Sequence, residues 1–239
     1  MTLTVATYNI HDAIGTDGTC DIGRIARAIA ETDAGIVALQ EVSGPGDAGT
    51  DRPDHFAILS KAFGGYAVEG PALQDGRRRY GNLLLSRWPV SHWIVADLAH
   101  PEREPRNAIM ATIASPDGPL RVVASHFGLV HRERRAQAEL IADLAAQEGE
   151  MPTVILGDFN DWLPFSPVVR LLSRSLGTHI GAVRRMPTFP SRLPLLALDR
   201  ILLNGRVRLR SVRVPATPLA RTASDHRPLV AEVEIASGR

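Results

Sequence analysis

Alternating hydrophobic and polar positions predict a succession of strands and helices in an α/β arrangement. Residues 3–10 alternate and are rich in β-branched side chains, which predicts a strand, and residues 35–40 form a buried strand. After Asp21, which can serve as an N-cap, Ile22, Ile25 and Ile29 recur at helical spacing. Further strands are predicted over residues 66–69, 81–86, 91–98, 106–114, 120–125, 154–157, 198–203, 206–214 and 228–235. Further helices are predicted over residues 54–63, 131–147 and 166–173, with loops over 44–54 and 177–194.

The two halves of the chain share the order strand, helix, strand, and no linker or low-complexity segment separates them. With 239 residues and 44% hydrophobic content, the chain is long enough for one large domain with a full core. We therefore expect a single domain over residues 1–239, in which two sheets pack face to face and helices cover the outside.

Composition indicates the cellular compartment of this domain but does not indicate the kind of molecule it binds. No run of about 18 apolar residues occurs, so no transmembrane helix is expected, and the start lacks the features of a signal peptide. The only cysteine, Cys20, excludes an internal disulfide and fits a reducing compartment, so we expect a cytoplasmic protein. Of 27 basic residues only Lys61 is a lysine, which either favours bidentate phosphate contacts or reflects codon bias in a GC-rich genome. The net charge of +1 argues neither for nor against a polyanionic partner.

Polar side chains that can bind a metal or a phosphate gather at strand ends. The run 154–157 ends in a glycine, and Asp158 and Asn160 follow on one side of an extended chain. Nearly all members of a set of eight lie at or just beyond an apolar strand: Asn9, Glu41, His126, Asp158, Asn160, Asp199, Asp225 and His226. This placement predicts a shared edge where strand ends converge. Because the set offers oxygen and imidazole ligands and no thiol, Mg²⁺ or Mn²⁺ fits it better than structural zinc.

Asp225 and His226 precede the last strand and can divide the chemistry between them. Adjacent strand residues point in opposite directions, so Asp225 can reach a metal while His226 faces the substrate. Imidazole is the side chain best suited to proton transfer near neutral pH. Its second ring nitrogen needs a carboxylate to orient it, and Asp199 is the candidate.

Plainer interpretations exist for several of these residues. Asp158 and Asn160 also suit an Asx-rich turn after a strand. Glu41 also suits an exposed position at the start of a loop, and Asp199 suits a salt bridge to Arg200 or another arginine.

The ordered set of motifs resembles the endonuclease/exonuclease/phosphatase superfamily of DNase I-like, metal-dependent phosphohydrolases. The segments that carry the resemblance are Thr7-Tyr8-Asn9-Ile10, Leu39-Gln40-Glu41-Val42, Gly81-Asn82-Leu83-Leu84-Leu85-Ser86, Ser125-His126-Phe127, Gly157-Asp158-Phe159-Asn160, Leu198-Asp199-Arg200-Ile201 and Ser224-Asp225-His226-Arg227-Pro228. Each is weak alone, but together they cover nearly the whole chain in the family's order. The resemblance implies a four-layer α/β sandwich, two mixed sheets flanked by helices, with the site at one end.

The resemblance also implies a metal-dependent reaction. Glu41 resembles the main Mg²⁺ ligand of the family, with Asn9 beside it and Asp225 assisting, and Mn²⁺ is an alternative ion. The implied reaction is in-line attack of water on a phosphate ester, in which the metal neutralises developing charge.

Further roles follow for the residues around the scissile bond. Asp158 resembles the residue that orients or activates the attacking water, and His226, paired with Asp199, resembles the catalytic histidine. Asn160 and His126 resemble groups that hold phosphoryl oxygens. The sequence leaves open whether His226 or Asp158 is the general base.

Two further positions, Asn82 and Arg106, match family positions near the phosphate. Asn82 also suits a turn cap and Arg106 an edge strand.

The chain departs from the abasic-site endonuclease branch, since Ser125-His126-Phe127-Gly128 stands where that branch has a tyrosine. It is most similar to small bacterial metal-dependent hydrolases of the superfamily, and that resemblance gives the chemistry and not the substrate.

Two surface patterns bear on the substrate. The cluster 77–80 and the arginines at 206, 208 and 210 suit nucleic acid, although aromatic content is only 5% and a solvated face explains them too. The apolar segments 162–165 and 193–196 suit lipid contact or ordinary core packing. We therefore expect a phosphodiesterase or phosphatase acting on a phospholipid-derived or other small phosphate ester. A nuclease is the alternative and a non-catalytic binding protein a remote one, while the number of metal ions and the oligomeric state stay open.

Overall fold

Two β-sheets form the centre of the protein, in a computed structural model that describes residues 1–48, 51–147, 151–163, 166–177 and 185–236. The first sheet has six strands in the order β10 (Val207–Arg213), β11 (Leu229–Ile235), β1 (Leu3–Asn9), β2 (Ile36–Pro45), β4 (Arg78–Ser86) and β3 (Tyr66–Gln74). The second has five strands in the order β5 (Val90–Asp97), β6 (Asn107–Ser115), β7 (Gly118–His126), β8 (Thr153–Asp158) and β9 (Asp199–Leu203). Both sheets are mixed, because β1 is parallel to β2 and β7 is parallel to β8, whereas β11 and β9 pair antiparallel with them.

The two sheets pack against each other through one continuous apolar layer. Val5 and Ile36 of the first sheet belong to the same buried cluster as Ile109, Val122 and Leu156 of the second. Each of these side chains is removed from water by the opposite sheet, so burial of this layer is what holds the two sheets together.

Helices cover the outer face of each sheet. Helices α1 (Ile22–Ala30) and α2 (His55–Phe63) bury Ile25 and Phe56 against Leu39 of β2. Helices α3 (His131–Gln147) and α4 (Pro167–Ser175) bury Ile141 and Val168 on the second sheet. The predicted four-layer α/β sandwich is thereby confirmed. No helix in the described part of the chain is both long and apolar enough to cross a membrane.

The structure corrects several predicted element boundaries. The predicted loop 44–54 is wrong at its start, because β2 continues to Pro45. Glu41 adopts φ 60°, and the pairing of β2 with β4 shifts register between Leu39 and Val42, so the strand resumes after the break. The turn His11–Ala13 and the short helix α5 (Pro218–Thr222) were not predicted. Part of the predicted loop 177–194, residues 178–184, lies outside the described residues.

Strand ends of both sheets meet at one edge of the molecule. In the first sheet, Asn9 at the end of β1 pairs with Gln40, directly before Glu41. In the second, Asp158 at the end of β8 pairs with His126 on one side and Asp199 on the other. Since the sheets face each other, these ends form a common rim that carries the polar residues.

Candidate active site

A cleft of about 460 Å³ opens at this rim. The residues that line it are Asn9, Glu41, Tyr80, Glu104, Arg106, His126, Leu129, Asp158, Asn160, Trp162, Phe189, Leu196, Leu198 and His226. Six of the eight polar residues predicted to share an edge are in this lining, and Asp199 lies buried directly behind His226.

Asn9 holds two carboxylates together at the bottom of the cleft. Its Nδ2 donates to Glu41 Oε1 at 2.8 Å and to Asp158 Oδ2 at 3.0 Å. Asp158 is 1% exposed, so its charge is costly unless polar groups surround it. The Oδ1 of Asn9 accepts the His11 N–H at 3.1 Å, which fixes the amide with its NH₂ group toward the carboxylates.

His226 forms a buried pair with Asp199. The Nδ1 atom of the ring lies 2.8 Å from Asp199 Oδ2, and Nε2 lies 3.7 Å from Asp158 Oδ2. Asp199 is fully buried and His226 almost so. The ring is therefore oriented from behind by Asp199 and presents Nε2 to the cleft beside Asp158, which is the arrangement predicted for the pair.

His126 and Asn160 form the other side of the site. The Nδ2 of Asn160 donates to His126 Nε2 at 3.1 Å and to Phe127 O at 2.8 Å. His126 Nε2 also lies 3.7 Å from Asp158 Oδ2. Asp158 thus stands between the two imidazoles, with its Oδ1 accepting the Asn160 N–H at 2.9 Å.

The two histidines have opposite electrostatic environments. Burial works against a charge on His226, but the carboxylates of Asp199 and Asp158 outweigh it and raise the pKa of the ring to about 10. Burial and the Arg106 guanidinium lower the pKa of His126 to about 3, against the attraction of Asp158. His126 is therefore neutral and can accept the Asn160 amide hydrogen, whereas His226 carries a proton on both nitrogens.

Backbone geometry at the rim is unusual at the residues that carry the chemistry. Glu41 has φ 60° and Asn160 has φ 50°, a left-handed region that costs about 1–3 kcal/mol for such residues. At Gly157 an added Cβ would lie 1.8 Å from Ser125 O, so only glycine lets β8 approach β7 this closely. These conformations place the side chains of Glu41, Asp158 and Asn160 at the cleft.

The structure does not bring all the predicted residues to the same point. Arg106 lines the cleft, and its Nη1 donates to Glu104 Oε1 at 2.8 Å. Asn82 is not in the lining: it is buried and donates to Asn107 Oδ1 at 2.8 Å. Asp225 is also outside the lining, and its Oδ1 lies 3.9 Å from His11 Nδ1.

The sequence of the chain matches the profile of a known protein family. The profile of the Endonuclease/Exonuclease/phosphatase family matches residues 6–226. The chain belongs to this family. Endonuclease/exonuclease/phosphatase proteins are hydrolytic phosphoesterases and nucleases, and their metal chemistry agrees with the carboxylate and imidazole groups found in the cleft.

Similarity to individual proteins extends over the full chain. The uncharacterized protein YbhP of Escherichia coli K12 is 30% identical over 247 aligned residues, covering 97% of this chain and 96% of YbhP. The structure of a mannosyl-6-phosphatase from Bacteroides thetaiotaomicron is similar with a TM-score of 0.76 at 17% identity, covering 98% of this chain and 100% of that one. TDP2 from D. rerio, complexed with single-strand DNA product, is similar with a TM-score of 0.70 at 16% identity, covering 98% and 99%. These two structures share the fold.

Three further residues at the endonuclease/exonuclease/phosphatase site are assigned no catalytic or positioning role by the sequence. Tyr80 lines the cleft, and burial together with the Glu41 carboxylate raises the pKa of its hydroxyl. Thr188 donates to Asp199 Oδ2, and the Phe189 ring lies 4.9 Å from the His226 ring. Thr188 and Phe189 belong to Thr188-Phe189-Pro190-Ser191, a segment that the chain shares with the bacterial metal-dependent hydrolases it resembles. Neither that pattern nor the prolines of the predicted loop show which side chains turn inward.

The buried groups Asp158, Asp199 and His226 have ligand atoms within 4.8 Å of one another. In this structure Asp199 Oδ2 accepts hydrogens from His226 and Thr188, at 2.8 and 2.5 Å. Those distances are typical of hydrogen bonds and leave the shared oxygen fully used. Glu41 fits a hard cation better, because it lines the cleft and 21% of its side chain is exposed.

Proposed function

We propose that the protein is a Mg²⁺-dependent phosphoesterase that hydrolyses a phosphate ester by in-line attack of water. The observation that carries the proposal is Asp158 in the cleft, with one oxygen 3.7 Å from the Nε2 atoms of both His126 and His226. The Asp199–His226 pair behind it is the second half of the same arrangement.

The donor set fits Mg²⁺ or Mn²⁺, since it consists of carboxylate and amide oxygens and imidazole, with no thiol. Glu41 would hold the ion, with Asn9 and Asp225 as the assisting residues that the family resemblance implies. To offer Oδ1 to the ion, Asn9 would have to rotate its side-chain amide, because that oxygen accepts the His11 N–H at 3.1 Å. When bound, the ion supplies positive charge that stabilises the phosphoryl group as negative charge develops.

The protein's own groups divide the remaining work. Asp158 orients the attacking water and takes up its proton as the new P–O bond forms. His226, which carries a proton on Nε2 at 3.7 Å from Asp158 Oδ2, donates that proton to the ester oxygen as its bond to phosphorus breaks. Asp199 keeps the His226 ring in the orientation that presents Nε2. His126 and Asn160 line the cleft and are the groups that the family resemblance implies for the phosphoryl oxygens, and the Arg106 guanidinium in the same lining suits those oxygens as a cationic donor.

Apolar loops around the cleft favour a phospholipid-derived or other small apolar ester. Leu129 is 72% exposed and Trp162 is 48% exposed, and both line the cleft. Leu193 and Leu195, each 68% exposed, belong to the loop that contains Phe189. Such exposed leucines are costly in water and suit an apolar substituent of a substrate or a lipid surface. Pro164 and Phe165 of the predicted segment 162–165 lie outside the described residues.

A nuclease is the second candidate, favoured by one observation at the same edge. The Arg78 guanidinium lies 5.1 Å from the centre of the Tyr80 ring, and Tyr80 lines the cleft. The arginines at 208 and 210 do not support a nuclease. They lie on β10, where Arg208 is opposite Glu234 in the register with β11, at the end of β11 that is far from His226. Similarity to TDP2 in complex with DNA keeps this candidate open.

The test is turnover by the purified protein with Mg²⁺ on three substrates: bis-p-nitrophenyl phosphate, plasmid DNA and phospholipid headgroup esters. We expect turnover of the small or lipid-derived esters and its reduction by about 10²-fold or more in His226→Ala. His92→Ala, which changes an exposed histidine on β5, is the matched control and keeps full activity. Rapid DNA nicking with no ester turnover would reverse the ranking, and an inert wild-type protein would favour a binding role.

A further inference from the structure

The loop 187–196 is fastened to the backbone on both sides of His226. Ser191 N donates to Asp225 O at 2.6 Å, and Arg227 N donates to Thr188 O at 3.0 Å. Because Asp225 and Arg227 flank His226 in the chain, these bonds hold the loop and the histidine backbone in one unit. The loop is therefore a fixed wall beside the ring.

Thr188 extends this wall to the second member of the pair. Its Oγ1 donates to Asp199 Oδ2 at 2.5 Å, and His226 Nδ1 lies 2.8 Å from the same oxygen. The other oxygen, Asp199 Oδ1, is buried and has no hydrogen-bond partner among the described residues. Thr188 and Asp199 are both fully buried. A single carboxylate oxygen thus receives both hydrogens.

We propose that Thr188 is a positioning residue, which fixes the Asp199 carboxylate and through it the orientation of the His226 ring at the cleft. A carboxylate held by one hydrogen bond can turn and offer either oxygen, and a second donor on the same oxygen removes that freedom. Phe189 contacts the ring itself, with centroids 4.9 Å apart and planes tilted by 50°. Consecutive loop residues thus contact Asp199 and His226 separately.

The inference rests on the proposed function, since it concerns the residues of that same site. The competing explanation is that Thr188 only satisfies a buried carboxylate. Both explanations expect Thr188→Val to lower stability, because the change leaves Asp199 with one donor fewer. Only a positioning role also expects a change in the chemical step and in the His226–Asp199 hydrogen bond.

The kinetic test compares Thr188→Val and Thr188→Ser with a matched control, on whichever substrate the wild type hydrolyses. We expect Thr188→Val to lower kcat about 10- to 100-fold with KM changed less than about 2-fold, as for loss of one hydrogen bond to a charged group. Thr188→Ser keeps the hydroxyl and restores kcat to within about 3-fold of the wild type. Thr32→Val is the control, since the Thr32 hydroxyl is also buried and donates at 2.6 Å to Ile29 O, at the other end of β2.

A second readout does not need activity. In the metal-free protein, the Nδ1–H proton of His226 is observed by NMR and assigned by its loss in His226→Ala. We expect its resonance to shift or broaden in Thr188→Val and to stay in place in Thr32→Val. A wild-type resonance in Thr188→Val overturns the positioning role whatever its kcat, and so does an equal loss of kcat in Thr32→Val. If the wild type hydrolyses nothing, the proposed function fails, while the NMR result still decides whether Thr188 orients the pair.

Discussion

At the residue scale, the cleft depends on a close approach of two strands beside Asp158. A Cβ at Gly157 would lie 1.8 Å from Ser125 O, a backbone atom of β7 that cannot move without breaking the sheet. We expect Gly157→Ala to lower the free energy of unfolding by about 1–3 kcal/mol, the typical range for overpacking. Urea unfolding followed by circular dichroism measures the change.

Gly205→Ala provides the control for that substitution. No atom lies within 4 Å of a Cβ at Gly205, so we expect the free energy of unfolding to change by less than about 0.5 kcal/mol. Equal stability of the two variants would mean that the approach of β7 and β8 does not require glycine.

Single residues also show which contacts a sequence can predict and which it cannot. The pairing of Asp199 with His226 was predicted, because a histidine at a strand end needs an orienting carboxylate, and the structure places them 2.8 Å apart. Asn82 shows the opposite case. Its match to a family motif predicted a position near the phosphate, whereas in the structure its amide donates a hydrogen bond to Asn107 Oδ1. The partner of a polar side chain depends on tertiary packing, which neighbouring residues in the chain do not encode.

At the element scale, helix α3 holds the loop that follows His126. Gln137 is 1% exposed, and its Oε1 accepts the Gly128 N–H at 2.9 Å while its Nε2 donates to Leu98 O at 3.2 Å. Gln137 thus connects the loop after β7 to the segment after β5. We expect Gln137→Leu to lower the free energy of unfolding by about 2–4 kcal/mol, because it leaves two backbone groups without their side-chain partners. Thermal and urea unfolding measure the effect.

The control on the same helix is Arg135→Ala. It removes an exposed pair with Glu139 at 2.9 Å, which contributes about 0.3–0.5 kcal/mol. If Gln137→Leu is no more destabilising than this surface change, the loop after His126 is held by something other than α3.

Element boundaries show why periodicity predicted the strands and missed their irregularities. Residues 35–40 were predicted as a strand that stops before Glu41, whereas β2 passes through Glu41 and ends at Pro45. Glycine and proline at 44–46 are typical of loops, and the pairing with β4 that keeps Gly44 and Pro45 in the sheet is a long-range contact. The helix α5 is five residues long, too short for a periodic signal.

At the scale of the whole molecule, the exposed apolar side chains of Leu129 and Trp162 line the cleft. We expect Trp162→Ala to lower turnover of long-chain phosphate esters by about 5-fold or more, while turnover of short esters changes by less than about 2-fold. The reason is that burial of one large apolar side chain contributes ~1.5–3 kcal/mol of free energy. Steady-state kinetics on a series of esters of increasing chain length measures it.

Trp93→Ala is the matched control, since Trp93 is 53% exposed on β5 and does not line the cleft. It should leave the whole series unchanged. If Trp162→Ala lowers the turnover of short and long esters equally, the tryptophan supports the structure of the site and does not contact the apolar chain of the substrate.

The whole architecture was predicted more completely than any of its contacts. The order of motifs along the chain gave two sheets with helices outside, and the structure has that arrangement. The sequence also placed Asn9, Glu41, Asp158 and His226 at one rim. It could not give the bond between Asn9 and Asp158, which are 149 residues apart, because such a distance is set by the packing of one sheet on the other.

The metal dependence of the reaction is tested by measuring turnover as a function of Mg²⁺ concentration in the wild type and in Glu41→Gln. Glu139→Gln, an exposed glutamate on α3, serves as control. We expect saturable, Mg²⁺-dependent hydrolysis of a phosphate ester in the wild type and the control, and a loss of about 10²-fold or more in Glu41→Gln. Hydrolysis that is independent of Mg²⁺, or undiminished in Glu41→Gln, would contradict a metal-dependent phosphoesterase at this cleft.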